Sequence, residues 1–197
     1  MEEKQLANAL YASYCAEVRS RGHEVTMDNE TLGYILETAR WLRDPSDKVG
    51  LIYTGLYGNG KTTLMMAVAA LVNWLYDSPT SSNRHSFRVV DANDVVEAGV
   101  QTDKSAFNGL VNEELLAIDE LGNEAAETMV FGRIHTPVKD LLLERYKRQR
   151  MTICCTNLVA TKEGNQFAQH YGERVVDRFK EMMKMVVFRN PSYRDRV

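Results

Sequence analysis

Cysteine is scarce: Cys15, Cys154 and Cys155 are the only three in 197 residues. An odd count, with two adjacent in an apolar run, fits reduced, buried thiols and a cytosolic setting. Neighbours in a strand point to opposite faces, which argues against a bond between Cys154 and Cys155. Long hydrophobic runs are lacking as well. None approaches the about 18 to 20 apolar residues of a membrane helix, so no membrane contact is expected. The opening MEEKQLANAL lacks a basic segment followed by an apolar core, and no signal peptide is expected. Nor is there a surplus of positive charge. The net charge is −3, so any contact with nucleic acid must come from a local patch. No internal repeat and no low-complexity segment interrupts the chain. What the chain does have is 44% hydrophobic and 26% charged residues, enough to bury a core. Its length suggests one ordinary domain with an appendage.

Two helices are expected before residue 48. Leu6, Leu10, Tyr14 and Val18 recur every fourth residue, with Gly22 as a stop. In the second, Asp28 or Asn29 is the cap, Leu32, Ile35, Leu36, Ala39 and Leu42 form the apolar face, and Pro45 follows the end. The pattern then alternates. KVGLIYTG is a strand, KTTLMMAVAALVNWLY a helix, DSPTSSNRHS a loop, and FRVVDA a strand. Residues 93–114 read as weakly patterned helix and LLAIDE as a buried strand. Residues 125–149 read as one long helix, MTICCTNL as a strand, QFAQHYGERVVDRFKEM as a helix and KMVVFR as a fifth strand. Five apolar strands alternating with helices predict an α/β fold with a parallel sheet.

Gly55, Leu56, Tyr57, Gly58, Asn59, Gly60, Lys61 and Thr62 fit the phosphate-loop pattern G-x-x-x-x-G-K-[ST] at every specified position. The stretch follows a strand and opens a helix, where glycine lets backbone N–H groups surround a phosphate chain and the helix dipole favours an anion. Lys61 is expected to reach the β- and γ-phosphates of ATP, with Thr63 also in the nucleotide site. Thr62 and Asp119 are expected to hold Mg²⁺. Asp119 ends an apolar strand on the side where ligands bind in open α/β sheets, and Glu120 beside it is a candidate general base. Asn157 ends the MTICCTNL strand. It reads either as a polar group aimed at the γ-phosphate or as a turn cap. Arg174 and Arg178, four apart, share a helix face. Spacing alone favours a solvated face partnered by Glu173 and Asp177.

Taken together, GLYGNGKTTL, LLAIDELG, TNL, GERVVDRF and the terminal SYRDRV resemble the AAA+ ATPase domain of DnaC/DnaI-type helicase loaders and their IstB-type relatives. The resemblance implies a P-loop fold with strand order 5-1-4-3-2 and no helical lid after it. It makes Asn157 the sensor 1 residue and places Arg174 and Arg178 in the box that carries an arginine finger for a neighbouring subunit. It makes Arg194 the sensor 2 arginine. Residues 29–197 are assigned to the ATPase domain and 1–28 to a helical arm for partner binding. The function implied is a cytoplasmic, Mg²⁺-dependent ATPase switch in DNA replication. It would assemble with further copies on nucleotide and act on a replicative helicase or another DNA-processing protein, with single-stranded DNA as a candidate ligand. An IstB-type transposition helper shares every motif. A P-loop kinase shares only the first, and a non-hydrolysing adaptor would not need Glu120. ERYKRQR, with four basic residues against one acid, suits either a DNA backbone or a solvated helix end. His135 has no partner at metal spacing, and the methionines near the end read as filler.

Overall fold

The computed structural model describes residues 2–26, 28–45, 47–76, 86–161 and 164–195. The loop expected over 77–86 falls almost wholly outside them. In chain order the elements begin with α1 (Glu3–Ser20), α2 (Asn29–Arg43), β1 (Gly50–Gly55), α3 (Lys61–Tyr76), β2 (Arg88–Asp91), α4 (Ala92–Val100) and α5 (Ser105–Asn112). They continue with β3 (Leu115–Leu121), a hairpin of β4 (Thr128–Val130) and β5 (Arg133–His135), α6 (Pro137–Lys147) and β6 (Met151–Thr156). A small antiparallel pair, β7 (Ala160–Thr161) and β8 (Gly164–Asn165), precedes α7 (Gln166–Tyr171), α8 (Glu173–Met182) and β9 (Met183–Phe188).

The main sheet is β2-β3-β6-β1-β9, parallel throughout. Numbering only its own members along the chain, the strands lie 5-1-4-3-2 from the β9 edge. Helices cover both faces, so the central strands must be apolar on both sides, and β1 is buried along its whole length. Leu51, Tyr53, Ile153 and Cys155 face a layer of α1, α2 and α3. Ile52, Ile118 and Cys154 face α4, α5, α6 and α8. The two adjacent thiols therefore lie in separate cores, and burial raises the pKa of both. Leu6, Leu10 and Tyr14 of α1 are buried in the same core as α3, so only the opposite face of α1 is open.

Three expected elements differ. The apolar face of α2 is rotated: Leu32 and Leu36 are exposed, and Thr31 and Thr38 are buried beside Ile35 and Ala39. The threonines are tolerated inside because each hydroxyl has a partner, Thr38 with the Tyr53 hydroxyl at 3.0 Å and Thr31 with the Tyr193 hydroxyl. Second, the helix expected over 125–149 starts only at Pro137, which fits the first helical position. The residues before it form the β4–β5 hairpin. Third, the helix expected over 166–182 is two helices, because Gly172 between them sits at φ 85°, a left-handed conformation suited to glycine.

The hairpin turns through Phe131 and Gly132 at φ 48° and 75°. Two consecutive left-handed residues are the signature of a type I′ turn, whose first position favours asparagine. Phe131 is also 98% exposed, so neither backbone nor packing favours it in the isolated chain. Phe131→Asn should therefore stabilise the fold by about 0.5 to 1 kcal/mol. A thermal midpoint at or below that of the parent would contradict the turn assignment.

Candidate functional site

The carboxyl ends of β1, β3 and β6 converge on one place, because β6 lies between the other two. β1 ends at Gly55 and α3 opens at Lys61, so the glycine loop fills the gap between strand and helix. The first turn of α3 has no acidic residue, leaving its positive dipole end open to an anion. Gly58 sits at φ 74°, and a Cβ there would lie 2.4 Å from Ser192 Oγ. Lys61 is only 6% exposed. Its ammonium donates to Gly55 O at 2.9 Å, Leu56 O at 2.6 Å and Asn59 Oδ1 at 3.0 Å. These donors are ones a phosphate chain could claim, since a charged acceptor makes the stronger bond. Burial lowers the Lys61 pKa, as expected for an ammonium removed from water.

The Thr62 hydroxyl donates to Asp119 Oδ1 at 3.0 Å. A hydroxyl and a carboxylate oxygen side by side at the end of a phosphate loop are hard donors. They fit Mg²⁺, which prefers one or two protein oxygens alongside phosphates and water. Glu120 follows with φ 53°, a left-handed conformation that non-glycine residues adopt uncommonly. Its backbone N–H donates to Asp119 Oδ1 at 2.9 Å, its carbonyl accepts from Asn123 N at 2.9 Å, and its carboxylate accepts from Asn123 Nδ2 at 3.0 Å. The β3–β6 register shifts between Ile118 and Leu121, so Glu120 is lifted out of the ladder and is exposed.

Beside the loop lies a cleft of about 590 Å³ lined by Leu56, Tyr57, Asn123, Asn157, Gln169 and His170, among others. Asn157 thus shares one cavity with the glycine loop and the turn after Glu120. The chain beyond β9 closes the loop from its other side. Asn190 Nδ2 donates to Asn59 O at 3.0 Å, and Tyr193 N donates to Gly58 O at 2.8 Å. Arg194 runs past Gly58, its Cδ 3.5 Å from where a Cβ on that glycine would be. Thr63 lies half-buried in the first turn of α3.

The two arginines of α8 differ in surroundings. Arg178 stacks 5.1 Å over the Tyr146 ring and pairs with Asp177 Oδ2 at 3.2 Å and Glu181 Oε2 at 3.8 Å. Arg174 is exposed, and its side chain makes no hydrogen bond or ion pair among the described residues. The basic run 144–150 is not one surface. Arg145 is 0% exposed and turned inward, while Lys147 and Arg148 pair with Glu144 and Arg150 lies 3.9 Å from Glu114. The sequence did not single out Asn123, Glu124, Tyr171 or Asn190. Each serves the site through a contact distant in sequence or through a turn, which residue patterning does not mark.

A glycine loop at a helix N-terminus, an acidic pair two strands away and a polar strand end between them, on a 5-1-4-3-2 sheet, define an AAA+-type P-loop fold. Comparison with solved structures agrees: the fold is that of the DnaC-type helicase loaders. The crystal structure of the DnaC helicase loader superposes with a TM-score of 0.61 at 20% identity, covering 84% of this chain and 93% of that one. The DnaI crystal structure gives 0.57 at 18%, covering 83% and 87%. AMPPCP-bound DnaA from Aquifex aeolicus gives 0.56 at 16%, covering 86% of this chain and 50% of DnaA. No protein-family model matches the chain, and comparison with curated protein sequences finds no match. No helix among the described residues is long and apolar enough to cross a membrane.

Proposed function

We propose that this chain binds ATP with Mg²⁺ and hydrolyses it in a site completed by a neighbouring copy. The nucleotide state would switch its hold on a DNA-processing partner in replication, a replicative helicase first of all. The observation that carries the reading is the 3.0 Å hydrogen bond from Thr62 to Asp119, which brings the loop and acidic-strand motifs to one point beside the buried Lys61. Residues 29–197 serve as the ATPase unit. The exposed face of α1 within 1–28 is the surface left for a partner.

In this reading Lys61 exchanges its loop oxygens for the β- and γ-phosphates. Thr62 and Asp119 would hold the metal, which would supply positive charge against the phosphates. Glu120 accepts a proton as water attacks the γ-phosphorus and the bond to the β-phosphate oxygen breaks. Asn157 orients that water from the cleft, Arg194 contacts the phosphates within its own subunit, and α8 supplies an arginine to the next.

The test begins with two variants. Lys61→Ala should weaken ATP binding by on the order of 10- to 100-fold, since a charge-assisted contact is lost. Glu120→Gln should keep binding and lower turnover by about 10² to 10⁴-fold, the usual range for a general base. Equal affinity for Lys61→Ala and parent, or turnover surviving in Glu120→Gln, would overturn the assignment. Capture of a hexameric helicase on the immobilised chain with ATP, and not without it, tests the partner.

A further inference from the structure

Glu124 is a buried carboxylate that the proposed mechanism does not use. It is 4% exposed, and a charge so placed is tolerated only when its oxygens are fully engaged. One oxygen, Oε2, accepts from Gly122 N at 2.8 Å. The other, Oε1, accepts from the Tyr171 hydroxyl at 2.5 Å and lies 3.3 Å from His170 Nε2. Among the described residues no lysine or arginine pairs with it. Burial, and then Glu124 itself, pushes the Tyr171 pKa far up, so that hydroxyl remains a donor at any working pH.

The two oxygens reach two different parts of the molecule. Gly122 lies two residues beyond Glu120, inside the turn closed by Asn123 N on Glu120 O at 2.9 Å. The same turn is braced from β6 by Thr156 Oγ1 on Leu121 O at 2.6 Å. Tyr171 ends α7, three residues before Arg174. His170 and Gln169 of α7 line the cleft that also holds Asn157. One buried side chain therefore joins the turn carrying the candidate base to the segment presenting the candidate finger.

We infer that Glu124 is a positioning residue for hydrolysis. Its carboxylate fixes the Glu120 turn through Gly122 and ties that turn, through Tyr171 and His170, to the α7–α8 segment. The inference rests on the ATPase reading above. A displacement of α8 at a subunit contact would reach Glu120 by way of Tyr171 and Glu124, across two hydrogen bonds. The carboxylate matters because it accepts from Gly122 N on one oxygen and from the Tyr171 hydroxyl on the other, whereas an amide in its place must turn an NH₂ toward one of these donors.

The experiment measures nucleotide affinity, turnover and amide exchange on the full chain. Glu124→Ala should lower kcat by on the order of 10²-fold, as for a reacting group displaced by about 1 Å, with ATP affinity within about twofold. Glu124→Gln should lower kcat by about tenfold, because one of its two links survives. Tyr171→Phe added to Glu124→Ala should cost little more, since both remove one tie. Alone, Tyr171→Phe should speed amide exchange in residues 119–124 as well as in 166–172.

Unchanged kcat with a lowered melting temperature would reduce Glu124 to a structural anchor and overturn the proposal. So would faster exchange in 166–172 that leaves 119–124 as protected as before. If neither the parent nor Glu120→Gln hydrolyses ATP, the ATPase reading fails and the role in hydrolysis falls with it. In that case the exchange experiment still decides whether the tie exists. Hydrolysis that is lost in Glu120→Gln and intact in Glu124→Ala sinks the positioning role alone.

Discussion

Arg174→Ala should reduce ATP turnover by about 10³-fold or more while leaving nucleotide affinity of the isolated chain within twofold. Arginine fingers contribute on the order of 10³ to 10⁵ in rate in phosphoryl transfer, and a group acting on a neighbour's nucleotide does not touch its own. The sequence offers Arg174 and Arg178 equally. Their surroundings do not. Arg178 is engaged locally by Tyr146, Asp177 and Glu181, whereas Arg174 is exposed and without a partner among the described residues. Arg178→Ala loses surface pairs worth about 0 to 1 kcal/mol and should affect turnover far less.

The decisive form of the test mixes two inactive proteins under assembling conditions. A subunit carrying Arg174→Ala retains Glu120 and can receive the arginine of a Glu120→Gln neighbour, so part of the activity should return. Turnover per subunit in the parent should also rise with protein concentration. No recovery in the mixture, with assembly confirmed by sizing, would return Arg174 to the solvent-facing side of α8.

The glycine loop, its strand and its helix were legible because their signals are local. Eight consecutive residues carry the glycines, the lysine and the threonine, and the apolar run before them is buried on both faces. The acidic strand was legible for the same reason, as was the placement of Cys154 and Cys155 on opposite faces of β6. What was not legible depends on distant partners or on single backbone angles. Thr31 and Thr38 face inward because Tyr193 and Tyr53 wait there, which no helical pattern discloses. TMVFGRIH reads as the start of a helix until Phe131 and Gly132 both turn left-handed. Gly172 splits one amphipathic stretch into α7 and α8, and that break turns Tyr171 inward to Glu124 while leaving Arg174 outside. Counted as charge, the run 144–150 suited a solvated helix end or a DNA backbone, and counting could not show that one of its arginines is inside.

That arginine carries the largest stability effect expected outside the site. Arg145 donates from Nη1 to Leu110 O at 2.8 Å and Glu113 O at 2.7 Å, from Nη2 to Met151 O at 2.6 Å, and from Nε to Thr152 Oγ1 at 2.9 Å. Two of these carbonyls belong to the end of α5 and the residue beyond it, where the last turn leaves acceptors without helical partners and the dipole favours a cation. Burial lowers the Arg145 pKa to about 10, which still leaves it charged at neutral pH. Arg145→Ala removes the donors from four acceptors, two of these contacts being buried, and opens a cavity. Changes of that kind cost about 3 to 5 kcal/mol. For a chain of this length the melting temperature should fall by on the order of 10 °C. Arg145→Lys should not rescue it, because one ammonium cannot span the positions that the guanidinium fork occupies. Lys147→Ala and Arg148→Ala, on exposed pairs, should leave stability nearly unchanged. A melting temperature for Arg145→Ala within about 2 °C of the parent would show that the side chain lies at the surface, and would restore the basic run as a candidate DNA contact.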